Sequence, residues 1–275
     1  SDLVHFAMSG YLNMTGPADG PPIKPSAPYQ TFFHGSMQAV AATLLALRQR
    51  RRTGRGAHVD QSMRDTGLWM LTHTYQFWDL FRMNLRRQGA SRDMGGGAVR
   101  LPGVWRARDG YIVWVFQTGH IGGRRARMLV DWMAEEGMAP AWMQATDWPA
   151  FDLIAGGPEV VRRLTEAFAA FFTTKGRADL FDWAIARGVM LAPLQTLADV
   201  MNDHQLSARA AWREQEVDGV ASVVRVPGAP VRLSAADWEP RGAAPALGAH
   251  DSAVYGGLLG LTAAQTRALD AIVHE

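Results

Sequence analysis

The chain of 275 residues contains no cysteine. This absence excludes a disulfide framework, a cysteine nucleophile and a thiolate metal site, and it is compatible with a reducing compartment. The sequence also lacks an apolar run of about 18 residues and a segment that resembles a signal peptide. We therefore expect a cytoplasmic protein with no membrane partner.

The chain also has no large excess of positive or negative charge. The chain has 28 basic and 26 acidic residues, and a net charge of +2 is too small to favour nucleic acid as a partner. The eight histidines show no metal-ligand spacing, so no metal site is predicted, and no phosphate loop or nucleophile-elbow motif occurs. A hydrophobic content of 48% is enough for a folded core.

The most informative segment runs from residue 9 to residue 56. The stretch Thr15-Gly16-Pro17-Ala18-Asp19-Gly20-Pro21-Pro22 precedes a helical pattern from about residue 34 to residue 52, which Thr53-Gly54-Arg55-Gly56 ends. The N-terminus of such a helix is a natural anion site. The apolar residues recur at helical spacing and predict a mostly buried helix: Met37, Val40, Ala41, Leu44, Leu45 and Leu47.

The rest of the chain predicts alternating helices and strands. Residues 2–6 and 57–62 predict strands, and residues 63–85 predict one long helix. Asp109-Gly110 predicts a hairpin between residues 104–107 and 111–116, because it joins two runs of apolar and aromatic residues. Further helices are predicted at 121–136, 158–173, 177–187, 252–259 and 263–273. Residues 2–6 resemble a strand from the interior of a domain, so we expect a further segment upstream of residue 1.

Three later stretches complete the pattern: 192–200, which contains Ala192-Pro193-Leu194-Gln195-Thr196; 226–234, which contains Val226-Pro227-Gly228-Ala229-Pro230; and Pro245-Ala246-Leu247-Gly248-Ala249-His250. Together with the segment 9–56, they make the chain resemble the family III CoA-transferases, the group of formyl-CoA transferase, carnitine CoA-transferase and α-methylacyl-CoA racemase. Two short helices and a hairpin are expected between residues 193 and 234. The resemblance covers residues 3–273 and lacks the family's N-terminal part.

The resemblance implies an α/β fold with four segments. Residues 1–85 would form part of a Rossmann-like large domain, and residues 86–103 a glycine-rich crossing loop. Residues 104–192 would form an inserted small α+β domain. Residues 193–275 would return to the large domain and end in its C-terminal helices.

The resemblance also implies chemistry and partners. In the family, an aspartate carboxylate attacks an acyl-CoA thioester to give a mixed anhydride, after which the acceptor acid exchanges in. The substrates would be acyl-CoA and a carboxylic acid, with coenzyme A as substrate and no permanently bound cofactor. Family members form interlocked dimers, so we expect a homodimer or a heterodimer with a homologous chain.

The family aspartate is absent from its expected place. Alignment from Thr15-Gly16 puts Thr31 there, whereas counting back from Thr53-Gly54 puts Phe32 there. Thr31 could form an ester only with help from a base, and His34 is the nearest candidate in sequence. Alternatively, Thr31 caps the helix and His34 lies in its first turn.

A second candidate is the run Gly95, Gly96 and Gly97. In the family, a glycine-rich loop at this point covers the reacting thioester, and glycine allows the close backbone approach that this requires. The other interpretation is a plain linker.

Three functions remain open at this stage. The chain can be part of an active transferase whose nucleophile is altered or supplied by another chain. It can be a non-catalytic partner subunit or degenerate domain that supports an active homologue. A racemase is a weaker alternative, because it needs paired acid and base residues that the sequence does not place.

Overall fold

The structure of the protein is a computed structural model. It describes residues 1–24, 29–94, 99–217, 220, 222–235 and 245–273. The chain divides into two compact units, Ser1–Leu194 and Gln195–Glu275, which are described separately below.

The first unit begins with a group of helices. Five helices are described before residue 90: α1 (Asp2–Met8), α2 (Tyr11–Met14), α3 (Gln30–Thr53), α4 (Met63–Trp69) and α5 (Tyr75–Phe81). Glycine permits close helix contacts, because a Cβ at Gly35 would collide with the Met63 sulfur and one at Gly67 would collide with Ser9. α4 therefore packs tightly against both α1 and α3.

Antiparallel strands follow these helices. β1 (Ser91–Met94) pairs with β2 (Val99–Pro102), and β3 (Val104–Ala107) pairs with β4 (Gly110–Trp114), which also pairs with β5 (Leu191–Pro193). The predicted hairpin is confirmed, although the turn lies at residues 108–109 and Gly110 already pairs with Ala107. Gly110 has a φ of 154°, a conformation that favours glycine.

Helices between β4 and β5 cover this sheet. They are α6 (Gly119–Glu135), α7 (Ala141–Ala145), a short 3₁₀ turn (Trp148–Ala150), α8 (Leu153–Thr174) and α9 (Arg177–Arg187). The predicted helix at 177–187 is confirmed without change. Gly157 in α8 has non-helical angles, so the regular helix begins at Pro158, where a proline is favoured.

The core of the first unit is largely aromatic. Trp114 lies 4.8 Å from Phe168 and 5.4 Å from Phe172 between ring centroids, in edge-to-face contacts. The Trp105 indole N–H donates to the Trp114 carbonyl at 2.8 Å, so burial does not leave it unsatisfied. This core ties α6, α8 and α9 to the sheet.

Several sequence predictions for the first 103 residues were wrong. Residues 2–6 form a helix rather than a strand, residues 57–62 form no strand, and a turn divides the predicted helix 63–85 into α4 and α5. The segment 86–103, predicted as a loop, contains the β1–β2 hairpin. Short runs of apolar residues fit both a helix and a strand, so the contacts with neighbouring elements determine which of the two forms.

The structure also corrects the predicted start and the predicted burial of α3. It starts at Gln30, before the predicted start, and only Thr31 and Gly35 are buried in it. The apolar side chains predicted to be inside, Leu44 and Leu45 among them, are more than 60% exposed. The spacing of the apolar residues correctly predicted a helix. The spacing alone does not show whether the apolar face of that helix is buried.

The second unit is built from small elements. α10 (Leu197–Met201) and α11 (His204–Ala208) precede a hairpin of β6 (Trp212–Gln215) and β7 (Val224–Pro227), as predicted. A π-helical segment (Ser252–Leu258) and α12 (Ala263–Val273) follow. Among the described residues of both units, no helix combines the length and the apolar character needed to cross a membrane.

The buried face of α9 can be tested with a matched pair of substitutions. Leu180 is fully buried and Ile185 is mostly exposed on the same helix. We expect Leu180→Ala to lower the free energy of unfolding by about 2–5 kcal/mol and Ile185→Ala by less than about 1 kcal/mol. Urea denaturation measures both, and equal losses would contradict the described packing.

Candidate active site

The candidate site lies where the start of α3 meets the start of α1. The Asp2 carboxylate accepts a hydrogen bond from the Thr31 amide at 2.9 Å and a weaker one from the Gln30 amide at 3.3 Å. The Thr31 hydroxyl donates to the same carboxylate at 2.5 Å. Asp2 therefore satisfies backbone donors at the N-terminus of α3 that have no partner within the helix.

Both Asp2 and Thr31 are buried in the first unit. Asp2 is 8% exposed and Thr31 is fully buried. The contacts of α1 and α3 with α4 at Ser9, Gly35 and Gly67 bring Asp2 and Thr31 together across 29 residues of sequence. A Cβ at Gly67 would collide with the Ser9 Cβ and hydroxyl, so a larger residue there would push the end of α1 away from α4.

The Asp2 carboxylate is held in its ionised form. Burial alone would favour the neutral acid, but the hydrogen bonds from the Thr31 hydroxyl and from the Thr31 and Gln30 amides outweigh it, with a small contribution from Lys24. The pKa of Asp2 is consequently below its ordinary value. The partial positive charge at the start of α3 acts in the same direction.

The structure places Asp2, and not His34, against the Thr31 hydroxyl. His34 is exposed in the second turn of α3, and it forms no hydrogen bond with the described residues. Thr31 does not cap its own helix, because the N-cap is Tyr29, with φ of 64°. A non-glycine residue in this left-handed region costs on the order of 1 kcal/mol. The catalytic roles of Thr31 and His34 remain predictions.

The other candidates lie beside or outside this cluster. Phe32 is 41% exposed and packs edge-to-face on His5, with 5.9 Å between the ring centroids. Gly95, Gly96 and Gly97 lie outside the described residues, so their predicted role is untested. Within the part of the chain that the structure describes, no group of acidic residues and histidines is arranged to hold a metal ion.

The chemistry available to this arrangement is limited. One Asp2 oxygen accepts two hydrogen bonds from Thr31, and the other accepts one from Gln30. A carboxylate stabilised in this way is a weak base and a weak nucleophile, because attack would break these bonds. As it stands, the cluster fixes the start of α3.

Comparisons with known proteins identify the family. The model of CoA-transferase family III matches residues 1–251. The chain belongs to this family. Its fold agrees, since a CaiB/BaiF family protein from Brucella suis superposes with a TM-score of 0.69 at 23% identity, covering 94% of this chain and 62% of that one. The predicted α/β fold class is thereby confirmed.

Two curated relatives give the context within the family. The chain is 26% identical over 260 residues to the BbsE subunit of succinyl-CoA:(R)-benzylsuccinate CoA-transferase from Thauera aromatica, covering 91% of this chain and 59% of that one. It is also 26% identical to succinyl-CoA:mesaconate CoA-transferase from Haloarcula hispanica, covering 90% and 58%. The chain thus spans about three fifths of the length of these relatives.

Sequence reasoning missed Asp2. The residue begins a segment that the pattern favoured as a strand, and no local motif connects it to Thr31. The available signal was the small-residue spacing in α3 and α4, since Gly35 and Gly67 permit the close helix contacts that bring Asp2 to Thr31.

The charge on Asp2 gives a pH-dependent prediction. At pH 7 we expect Asp2→Asn to lower the free energy of unfolding by about 1–3 kcal/mol, because it weakens charge-assisted hydrogen bonds. The folded-state pKa is lowered, so this contribution is present above the unfolded value of about 4 and is lost as pH falls through the folded pKa. Urea denaturation between pH 7 and pH 2.5 measures the difference.

The matched control is Asp19→Asn, at an exposed carboxylate. Its effect on unfolding should be small at every pH. A wild-type advantage over Asp2→Asn that stays constant down to the lowest pH would show that the Asp2 charge does not stabilise the fold.

Proposed function

We propose that this chain is part of a CoA-transferase that moves CoA between carboxylic acids, and that it is the subunit without the acyl-accepting carboxylate. A homologous chain that retains the family aspartate would carry the covalent step. The observation that supports this division is the Asp2–Thr31 pair. Neither Thr31 nor Phe32, the two residues predicted at the position of the family aspartate, is a carboxylate, and Thr31 is buried and hydrogen-bonded to Asp2.

The names of the relatives support the subunit interpretation in part. BbsE is named as a subunit, whereas the Haloarcula relative is not. Both names specify succinyl-CoA, so we take succinyl-CoA as the donor and an organic acid as the acceptor. We place the assembly in the cytoplasm, where acyl-CoA is available.

The surface of the first unit supports a partner chain. Large apolar side chains are exposed on two helices, among them Leu44 and Leu45 of α3 and Leu80 and Phe81 of α5. Groups of large exposed apolar side chains are typical of protein interfaces. An interlocked dimer of two homologous chains, as the family resemblance implies, would cover it.

A second candidate function keeps the chemistry within this chain. The Thr31 hydroxyl already donates to Asp2, so Asp2 could act as a general base for attack by Thr31 on a thioester. The product would be an acyl ester of threonine, with CoA as the leaving group. The lowered pKa of Asp2 and the complete burial of Thr31 argue against this candidate.

The experiment is a trapping assay on the purified full chain. The protein is incubated with succinyl-CoA, separated from small molecules by rapid desalting, and treated with hydroxylamine, which converts an enzyme-bound acyl group to a hydroxamate. We expect no protein-derived hydroxamate from this chain alone. When it is copurified with a homologous chain that retains the aspartate, we expect the acyl group on that homologue.

If the chain alone formed a hydroxamate, two variants would identify the nucleophile. A hydroxamate formed by the chain alone and lost in Thr31→Val would establish the threonine mechanism. One lost in Asp2→Asn but kept in Thr31→Val would establish Asp2 as the nucleophile. Either result would overturn the proposed subunit role.

A further inference from the structure

The second unit contains a cavity of about 660 Å³ with three arginines in its wall. Its lining comes from two segments, the start of β6 with the residues before it and the chain that follows β7. The lining residues are Arg209, Ala210, Arg213, Pro227, Gly228, Ala229, Pro230, Val231, Arg232 and Leu233. This volume is in the range of pockets for small organic molecules.

The charge in this pocket is of one sign. None of the lining residues is acidic, although three are arginines. The described ion pairs of the chain include none of these arginines. Guanidinium groups brought to one cavity repel one another, so an anion between them would be favourable.

Arg213 provides a second observation. Its Nε–H is buried and has no hydrogen-bond acceptor among the described residues. Leaving a buried donor unpaired is unfavourable, and such groups in folded proteins usually have a partner. The fork of an arginine side chain matches the two oxygens of a carboxylate.

The hairpin places Arg213 on the cavity side. Arg213 pairs with Val226 in the ladder, and the next pair, Glu214 with Arg225, belongs to the opposite face because side chains alternate along a strand. Gly228 lies beneath the Arg213 stem, where a Cβ would come within 3.4 Å of the Arg213 Cγ. A side chain at residue 228 would crowd this stem.

The remaining wall is apolar. Proline, alanine, valine and leucine side chains line the cavity beside the arginines, which suits the body of an organic acid better than a bare inorganic anion. We propose that this pocket binds a small organic carboxylate, with its head group on Arg213 and its apolar body against Val231 and Leu233. Every residue of the pocket lies in the second unit, so this proposal does not depend on the proposed subunit role.

Calorimetric titration of the full chain tests the pocket. The probes are 4-phenylbutanoate, its neutral amide and inorganic phosphate, at constant ionic strength because salt screens such contacts. We expect 4-phenylbutanoate to bind more tightly than the other two probes. Arg213→Gln should weaken its binding about tenfold or more.

The control is Arg225→Gln, an exposed arginine on the other face of the same hairpin. Its effect on the dissociation constant should be less than about threefold. Circular dichroism establishes that each variant is folded. If Arg213→Gln does not fold, the double variant Arg209→Gln/Arg232→Gln replaces it, because both of these arginines are exposed.

Several results would overturn the proposal. They are no binding of 4-phenylbutanoate, equal binding of the amide, tighter binding of phosphate than of the carboxylate, or unchanged affinity in the pocket variant. Failure here would leave the trapping assay on Thr31 unaffected, since that assay concerns the first unit.

Discussion

The Asp2 carboxylate at the N-terminus of α3 is the interaction on which the functional interpretation depends. It joins residues that are 29 positions apart, and it accepts hydrogen bonds from the Gln30 and Thr31 amides and from the Thr31 hydroxyl. Thr31 is one of the two residues predicted to stand at the position of the family aspartate. A helix N-terminus can stabilise a negative charge of any origin. In this chain, the protein's own carboxylate already occupies it, so the local geometry favours a structural role.

The first unit contains two regions with different packing. The sheet of β3, β4 and β5 with α6, α8 and α9 encloses a dense aromatic core around Trp114. The helices α3 and α5 instead expose large apolar side chains, and in α3 only two residues are buried. Burial of apolar surface is the main favourable term in both folding and association, so covering these side chains would be favourable.

Local signals in the sequence predicted the elements whose packing is local. The hairpin between residues 104–107 and 111–116 was predicted from Asp109-Gly110 and its apolar flanks, and the bounds of α9 were predicted as the structure has them. Residues 57–62 were not predictable in the same way, because a short alternating run becomes a strand only beside a partner strand. The family itself was recognisable from motifs spread over the chain.

The site required three-dimensional information. The sequence identified Thr31 and noted His34 as the nearest base, but sequence proximity does not show which groups meet. The pairing of Thr31 with Asp2 depends on how α1 and α3 pack against α4, and no local motif encodes it. The arginine pocket is similar, since the hairpin was expected but the convergence of Arg209, Arg213 and Arg232 was not.

A double-mutant cycle on Asp2 and Thr31 tests the central claim most directly. The free energies of unfolding of wild type, Asp2→Ala, Thr31→Val and the double variant are measured in urea at pH 7. We expect a coupling energy of about 1 kcal/mol or more, because each single change removes the same hydrogen bond. A coupling below about 0.5 kcal/mol would mean that the two residues act independently, and it would contradict the account.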